Sequence, residues 1–443
     1  MGDKKHNKNG NRDIILITNL DIWMLTGDIN KAGTGNQSLY NTLMGYANHG
    51  YNVHMLTTSM ALEDISSIHP NIHVYRFNIK SYEFLMKIKR TLSYLLRLLK
   101  KKNSRNIPVA IRTKLAEQSL GMVIYSYVFA WAMSRNARKL MENLDVAFVY
   151  GHEIFGTLAA ARLSRKMKLP LITRFQGTEL SQFLEQPDIL FSYTVNVRAL
   201  RTPADLIIMA NDGTQGDKVL DFVGVPRDRY RFYMNGVVKD DVYRPNVDIG
   251  RFRSKVFVPD GNIFLLYTGR FFYWKRIDRL LRVFAKTLAQ YPKITLVLIG
   301  DGAEKKPCES LAEKLGVKKN TVFLGSMPHS EVMDYLNACD ICVSFHDLTN
   351  LCNPLIEACV CGKCIVTTNI GGISDLLTHG KNSIVLDNSD ENKLAGALLS
   401  VAADGSLRNR YAEAAFQRGI ELKTWKERMD MEAAEVELVL AKK

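Results

Sequence analysis

Short apolar runs alternate with amphipathic stretches along the whole of this 443-residue chain. The runs are rich in Val, Ile and Leu and do not alternate with polar residues, which is typical of strands buried on both faces of a sheet. They lie at 14–18, 52–57, 72–75, 146–150, 171–174, 206–210, 230–234, 263–268, 294–299, 322–324, 341–344, 364–367 and 384–386. Because helical patterns fall between them, the chain is predicted to be an α/β protein with parallel sheets and βαβ crossovers.

A segment rich in turn signals separates the two halves of this pattern. The break falls near 238–260, where the turn signal Asn235-Gly236 is followed by further Pro, Asp and Gly residues, and a new strand pattern starts at Ile263. We therefore predict two Rossmann-like, doubly wound domains over residues 1–245 and 246–420, each large enough to bury its own core. In such folds a ligand binds at the carboxyl ends of the strands, so the cleft between the domains is the expected site.

Positive charge is concentrated in one part of the chain. Lys and Arg total 59 against 45 acidic residues, which gives a formal net charge of +14. Residues 76–139 hold 15 basic side chains against Glu83 and Glu117, so this segment alone carries +13. The feature to be explained is therefore a local basic patch and not an overall basic character.

The patch includes a predicted amphipathic helix at 81–102. Its apolar side chains follow helical spacing, while Lys87, Arg90 and Arg97 lie opposite them. Such a helix suits an anionic membrane surface. An ordinary helix with its apolar stripe in the domain core is the alternative. No nucleic-acid-binding motif accompanies the charge, so nucleic acid is not an expected partner.

The remaining composition points to a cytoplasmic protein. No uncharged apolar run is long enough to span a bilayer, and the polar N-terminus lacks the apolar region of a secretory signal. The seven cysteines lie between Cys308 and Cys364, and two C-x-x-C spacings raise a metal hypothesis. These cysteines lie inside apolar runs, however, which favours buried thiols in a reducing compartment and no bound metal.

The first candidate site follows the strand pattern at 263–268. Arg270 and Lys275 come directly after it, just before a helical pattern at 277–291. Arg offers a planar fork of donors, Lys offers a point charge, and the helix N-terminus adds a positive field. Together they suit a phosphate or diphosphate. Solvated surface cations are the alternative.

A second polar segment, 347–358, follows another buried strand pattern. Pro354 is typical of a first helical position, which places Glu357 in the first turn of a helix. Glu357 either stabilises that helix or accepts hydrogen bonds from a pair of ligand hydroxyls. Asn350 and Asn353 provide polar contacts or cap the helix.

Three further strand ends carry glycine or polar residues. Gly33 and Gly35 precede a helical pattern, so the backbone there can approach an anion, although the spacing is not that of the dinucleotide fingerprint. His152 and Glu153 follow the fourth strand pattern, and Gln176 follows the fifth. His152 is predicted to be an acid–base group or an acceptor contact, with a structural histidine as the alternative.

In this order the segments resemble the retaining glycosyltransferases of family 4, which have the GT-B fold. The resemblance covers about residues 13–440 and rests on GR-x4-K at 269–275, an acidic helix motif that ends at Glu357, and the pair Gly371-Gly372. The loop AGTGNQSL after the first strand and the later NGV follow the family's order. The GT-B fold implies two Rossmann-like domains with a cleft between them.

The resemblance implies transfer of a hexosyl group from a nucleotide-diphosphate sugar to a lipid-linked or cell-surface glycan, with retained configuration. Arg270 and Lys275 would hold the donor diphosphate and Glu357 the donor ribose, and no cofactor or metal is expected. The donor-binding set would also include Gly33, Gly35, Thr349, Asn350 and Asn353. The acceptor side would consist of Asn36, His152, Glu153 and Gln176. The candidate catalytic residues are Arg270, Lys275 and His152.

The resemblance also implies an arrangement of the whole chain. The first domain, with the basic segment 76–139, would be the acceptor side, and the helix at 421–443 would pack back onto it. The second domain would bind the nucleotide sugar, whose leaving phosphate would take the acceptor's proton. With the basic helix at 81–102, this predicts a cytoplasmic enzyme of polysaccharide biosynthesis, peripheral on the inner face of the cell membrane.

Two positions depart from the family pattern. Thr349 stands where the first of two glutamates is expected, and Gln176 stands where a histidine is common. We favour an active variant, because Arg270, Lys275 and Glu357 are retained. The alternatives are a non-catalytic sugar-nucleotide-binding partner of another transferase, or a basic membrane- or nucleic-acid-binding module.

Overall fold

The computed structural model describes residues 12–20, 37–58, 69–77, 120–237, 239–349, 351–387 and 390–442. Seven strands form one parallel sheet: β1 (Arg12–Ile17), β2 (Tyr51–Thr57), β3 (Ile72–Arg76), β4 (Val146–His152), β5 (Leu171–Phe175), β6 (Leu206–Asn211) and β7 (Tyr230–Met234). Their order is β3-β2-β1-β4-β5-β6-β7. The chain therefore starts near the middle of the sheet and winds outwards in both directions, which is the doubly wound arrangement.

Six strands form a second parallel sheet: β8 (Ile263–Thr268), β9 (Ile294–Ile299), β10 (Thr321–Gly325), β11 (Ile341–Ser344), β12 (Cys364–Thr368) and β13 (Ile384–Leu386). Their order is β10-β9-β8-β11-β12-β13, so the first strand of this sheet is again internal. Every predicted strand is present, and no end differs from its predicted position by more than two residues. The prediction of two doubly wound parallel sheets is confirmed.

Helices cover the faces of both sheets. In the first half they are α1 (Gln37–Asn48), α2 (Leu120–Leu140), α3 (Glu153–Met167), α4 (Pro187–Ser192), α5 (Thr194–Leu200), α6 (Gly216–Phe222) and α7 (Lys239–Val242). In the second half they are α8 (Ile249–Lys255), α9 (Ile277–Leu288), α10 (Lys305–Lys314), α11 (His329–Ala338), α12 (Asn353–Val360), α13 (Glu391–Ala403), α14 (Gly405–Glu421) and α15 (Trp425–Ala441).

The apolar runs of the strands are buried on both faces of each sheet. On the first sheet, one core forms with α2 and α3, and the other forms with α1 and α15. On the second sheet, α9 and α13 cover one face, and α11, α12 and α14 cover the other. Because both faces are occupied, the loops at the carboxyl ends of the strands remain available for ligands.

The last helix, α15, packs against the first sheet. Its N-terminus carries a capping box in which Thr424 and Glu427 each accept a hydrogen bond from the other's backbone. Farther along, the carboxylate of Glu432 is fully buried. It accepts hydrogen bonds at 2.8–3.1 Å from Tyr46, Tyr150, Arg174 and Arg428. These donors compensate the buried charge and fix the helix against β4, β5 and α1.

Several predictions concern residues outside the described ranges. They include the basic helix at 81–102 and four site residues, namely Gly33, Gly35, Asn36 and Asn350. The predicted boundary at residue 245 falls between β7 and β8 and stays a prediction. In the part of the chain that the structure describes, no helix is both long enough and apolar enough to cross a bilayer.

The cysteines are thiols, and all seven lie within the described residues. Six of them are buried, and Cys352 is half-buried. Burial raises the pKa of Cys339 and of Cys364 to about 12, so these side chains remain protonated and behave as small apolar groups. Over the described residues, no three His, Cys, Asp or Glu side chains are arranged to hold a metal ion.

Candidate active site between the two sheets

Two cations follow β8, and no described carboxylate pairs with either of them. Arg270 is exposed, and Lys275 is half-buried at the end of a single 3-10 turn. Among the described residues, no acidic side chain forms an ion pair with either of them, whereas Arg276 and Arg279 both pair with Asp347 at 2.8 Å. Arg270 and Lys275 are therefore the cations of this loop that are available to an anion.

The surroundings of Lys275 keep its charge uncompensated. Its ammonium lies 4.1 Å from the ring centroid of Trp274 and 3.3 Å from Nδ1 of His346. Burial lowers the pKa of Lys275, while the nearby charge of Asp212 raises it. Burial and the charge of Lys275 also lower the pKa of His346, so this imidazole is neutral. An anionic ligand would supply the direct ion pair with Lys275 that no described acidic side chain provides.

Thr349, which replaces the expected glutamate, joins the two sheets. Its side chain is buried, and its hydroxyl donates a hydrogen bond of 3.0 Å to the carbonyl oxygen of Asp212, which follows β6 of the first sheet. Its own carbonyl oxygen lies 2.9 Å from Nδ1 of His346. Thr349 thus connects the surroundings of Lys275 to the opposite side of the cleft.

Glu357 lies in α12 beside a small cavity. Its carboxylate is buried, and Oε1 lies 2.9 Å from Nε2 of His329, at the start of α11. Asn353, at the exposed N-terminus of α12, lines the same cavity, together with Gly236 and Trp425 at the crossing between the domains. Both polar and apolar side chains line the cavity, and the predicted ribose contact of Glu357 stays a prediction.

Glu153 lies on the first-domain side of the cleft. It begins α3 immediately after β4, and its Oε1 accepts a hydrogen bond of 2.8 Å from the backbone N–H of Gln176. Burial raises the pKa of Glu153 to about 7, although that hydrogen bond and the charge of Arg174 lower it. Oε1 of Gln176 is itself buried, and no described residue donates a hydrogen bond to it. The two predicted acceptor-side residues are therefore brought together.

His152, the last residue of β4, is fully buried. Neither ring nitrogen has a hydrogen-bond partner among the described residues. Burial, together with the charge of Arg174, lowers its pKa to about 3, so the ring is neutral. A substrate would reach this ring only if the surrounding residues moved, and its predicted catalytic role stays a prediction.

Asp212 is a polar residue of the cleft that our sequence prediction did not include. Its Oδ1 accepts hydrogen bonds from the N–H of Thr214 at 3.0 Å and from the hydroxyl of Thr214 at 2.5 Å. Gly177, with φ of 121°, packs so closely on the carboxylate that a β-carbon there would overlap it. Burial raises the pKa of Asp212 to about 6. The signal was available, because Asp212 directly follows a buried strand, as Gln176 does.

Residues 248–418, which include Arg270, Lys275, Thr349 and Glu357, match the family model of the glycosyl transferases group 1. Residues 248–418 are therefore similar to the group 1 glycosyltransferases. A glycogen synthase of Mycobacterium tuberculosis is 29% identical over 184 residues, which are 41% of this chain and 44% of that protein. The gpi3 subunit of a Schizosaccharomyces pombe phosphatidylinositol N-acetylglucosaminyltransferase is 29% identical over 265 residues, 60% of this chain and 55% of that protein. The chain thus spans about half the length of these curated relatives.

A solved structure extends the comparison to both domains. Anabaena HepE in complex with UDP-glucose matches with a TM-score of 0.66 and 16% identity, over 96% of this chain and 99% of that chain. At this identity the likeness shows the fold, and it confirms the predicted GT-B architecture. The residues that match the group 1 glycosyltransferases therefore lie in the second of two Rossmann-like halves, and the cations after β8 lie among them.

Proposed function

We propose that the chain is a retaining glycosyltransferase that moves a hexosyl group from a nucleotide-diphosphate sugar to a lipid-linked or cell-surface glycan. The observation that carries this proposal is the pair Arg270 and Lys275, which follows β8 without an ion-pair partner among the described residues. HepE, which has the same fold, is described in complex with UDP-glucose. That likeness supports a nucleotide sugar as the donor.

In the proposed reaction, an acceptor oxygen forms a bond to the anomeric carbon, and the bond from that carbon to the phosphate oxygen breaks. The electron pair leaves with the nucleoside diphosphate, which also takes the proton of the reacting hydroxyl. Arg270 and Lys275 would stabilise the charge that develops on the leaving phosphate. Because the proposed path uses these cations, it requires no cofactor or metal. Glu357 would accept hydrogen bonds from the ribose hydroxyls.

The proposed acceptor is held at the cytoplasmic face of a membrane. The basic segment 81–102 supports this, and so does the name of the gpi3 relative, which acts in a phosphatidylinositol N-acetylglucosaminyltransferase. A described surface adds to the argument, because Tyr127 and Trp131 on α2 are 60% and 50% exposed. Tyr and Trp are enriched where a protein meets the interface of a bilayer.

Transfer assays with Lys275→Ala test the proposal. With UDP-glucose, UDP-N-acetylglucosamine and GDP-mannose as donors, we expect the variant to lose about 100-fold or more of kcat, because one preorganised charge at the leaving group is removed. Lys286→Ala is the control, since Lys286 lies on α9 and pairs with Glu391. Transfer by Lys275→Ala at the wild-type rate would overturn the assignment of the diphosphate site.

The ribose role of Glu357 has a test of its own. Glu357→Gln is expected to weaken donor binding by about 10-fold, as measured by calorimetry.

A non-catalytic sugar-nucleotide-binding protein is the second candidate. Thr349 favours it, because the hydroxyl at this position is bonded to Asp212 of the other domain, where the family pattern expects a carboxylate. This candidate predicts that the wild-type protein binds UDP-sugars in calorimetry but transfers none of them to any acceptor offered. Turnover by the purified wild-type protein would exclude it.

A further inference from the structure

The loop after β6 is held by both domains. The hydroxyl of Thr349 donates to the carbonyl oxygen of Asp212 at 3.0 Å. The next carbonyl oxygen, that of Gly213, accepts a hydrogen bond of 2.8 Å from the N–H of Gly372, which follows β12. Asp212 and Gly213 thus follow β6 in the first domain, and their consecutive carbonyl oxygens accept hydrogen bonds from two residues of the second domain.

This contact between the domains leaves no room for larger side chains. Gly213 has φ of 82°, and a β-carbon at this position would overlap Oγ1 of Thr349. A β-carbon on Gly371 would likewise overlap the carbonyl oxygen of Gly213. Because Thr349 packs closely on both glycines, we expect the longer side chain of a glutamate at position 349 to disturb this contact. The threonine found there fits the contact, and its hydroxyl supplies the hydrogen bond.

The two oxygens of the Asp212 carboxylate have different surroundings. Oδ1 accepts both hydrogen bonds from Thr214, whereas Oδ2 lies beside Gly177 and accepts no hydrogen bond from another of the described residues. A series of close contacts connects Asp212 with Lys275. Thr349 bonds to Asp212, the carbonyl oxygen of Thr349 contacts Nδ1 of His346, and that nitrogen lies 3.3 Å from Nζ of Lys275. Asp212 therefore belongs to the first-domain side of the cleft, near enough to Lys275 for its charge to act on that ammonium.

We propose that Asp212 binds the acceptor, with Oδ2 accepting a hydrogen bond from a hydroxyl next to the one that reacts, and that Thr349 fixes Asp212 in place when the domains meet. This inference rests on the proposed transfer reaction. A carboxylate oxygen without a protein donor is a strong acceptor for a sugar hydroxyl. The acceptor is then a compound with neighbouring hydroxyls, such as a saccharide or a cyclic polyol. Asp212 positions it without taking part in the proton balance.

The test compares wild-type protein, Asp212→Asn and the control Asp228→Asn. Asp228 is an exposed acid that precedes the amino-terminal end of β7, whereas Asp212 follows the carboxyl end of β6. Transfer from UDP-glucose and UDP-N-acetylglucosamine is measured with octyl glucoside and with phosphatidylinositol vesicles as acceptor probes. We expect Asp212→Asn to lose at least 30-fold in kcat/KM for the acceptor, while its Kd for UDP stays within twofold and Asp228→Asn is unchanged. A merely structural role would weaken UDP binding as well.

Variants at position 349 provide the second arm. We expect Thr349→Ser to keep transfer within threefold of wild type, and Thr349→Glu to lose at least 10-fold although it restores the acidic pair. If Thr349→Glu transfers as well as wild type or better, or if Asp212→Asn keeps its activity, the inference is wrong while the proposed function stands. Wild-type protein that binds UDP but transfers to neither probe overturns the proposed function, and the inference with it.

Discussion

Glu153 occupies an unusual backbone conformation at the point where β4 becomes α3. Its φ of 63° lies in the left-handed region, which costs a residue other than glycine about 1–3 kcal/mol. Burial raises its pKa from 4.5 to about 7. Because the folded protein holds this proton more tightly than the unfolded chain does, the contribution of Glu153 to stability is greatest below about pH 4.5 and is lost as the pH rises to about 7.

Replacing Glu153 by glutamine removes this pH dependence and keeps an oxygen for the N–H of Gln176. We therefore expect Glu153→Gln to gain free energy of unfolding, relative to wild type, between pH 5 and pH 8. Chemical denaturation at the two pH values measures the effect. Glu185→Gln is the control, because Glu185 is exposed in the same domain. A difference from wild type that is the same at both pH values would contradict the raised pKa.

At the residue scale, the sequence predicts the parts of the site that follow from local spacing. Arg270 and Lys275 were identified because both lie between a buried strand and a helix. The importance of Asp212 was not predicted, since it depends on a contact with Thr349 that is 137 residues away along the chain. For the same reason, the sequence indicates only that Thr349 stands where a glutamate is expected. Its contact between the two domains becomes visible only in the structure.

The helix α15 shows how a single element depends on one buried charge. Glu432 faces two arginines, Arg174 and Arg428, and all three side chains are almost completely buried. On α15 as well, Glu435 pairs with Arg231, but both of those side chains are partly exposed. A buried ion pair that loses one partner leaves a charge without compensation, whereas an exposed pair contributes little.

We therefore expect Glu432→Gln to lower the free energy of unfolding by about 3–5 kcal/mol. The matched variant Glu435→Gln, on the same helix, should lower it by about 1 kcal/mol or less. Urea denaturation followed by circular dichroism measures both values. Equal losses for the two variants would show that the buried carboxylate of Glu432 is not what holds α15 to the first sheet.

The helices and strands that could be predicted from the sequence are the long ones and the fully buried ones. The strands were found because their apolar runs are continuous, and α12 because Pro354 marks its first turn. The short helices α4 and α5 were not predicted, because one or two turns leave too little periodicity to distinguish them from a loop. The helix α5 packs against α3 and α2, and α4 packs against α5 and the 3-10 turn Glu179–Phe183. Only the folded chain provides these contacts.

At the scale of the whole molecule, the charge of the chain is unevenly distributed between the domains. Residues 76–139 carry +13 of a net +14. By the proposed assignment, this charge lies in the acceptor domain and not in the donor domain. Electrostatic attraction to an anionic surface amounts to about 1 kcal/mol for each cation near it, and salt screens this attraction.

We expect the protein to bind vesicles of phosphatidylglycerol and phosphatidylcholine at low salt, and to dissociate as the salt concentration rises. Reversal of charge at Lys87, Arg90 and Arg97 should abolish binding, while reversal at Lys314, Lys319 and Lys393 of the second domain should not. Co-sedimentation measures both outcomes. If the wild-type protein does not bind anionic vesicles at low salt, the basic segment has another role.

The position of Glu432 has a consequence for how the protein is made. Arg174 enters the first domain 258 residues before its carboxylate partner is synthesised. On the ribosome, the seven strands of the first sheet are therefore complete long before their core is neutralised. The first domain finishes folding only when α15 emerges, after the whole second domain. Until then, chaperones can act on a nascent first domain that has an open face and an uncompensated arginine.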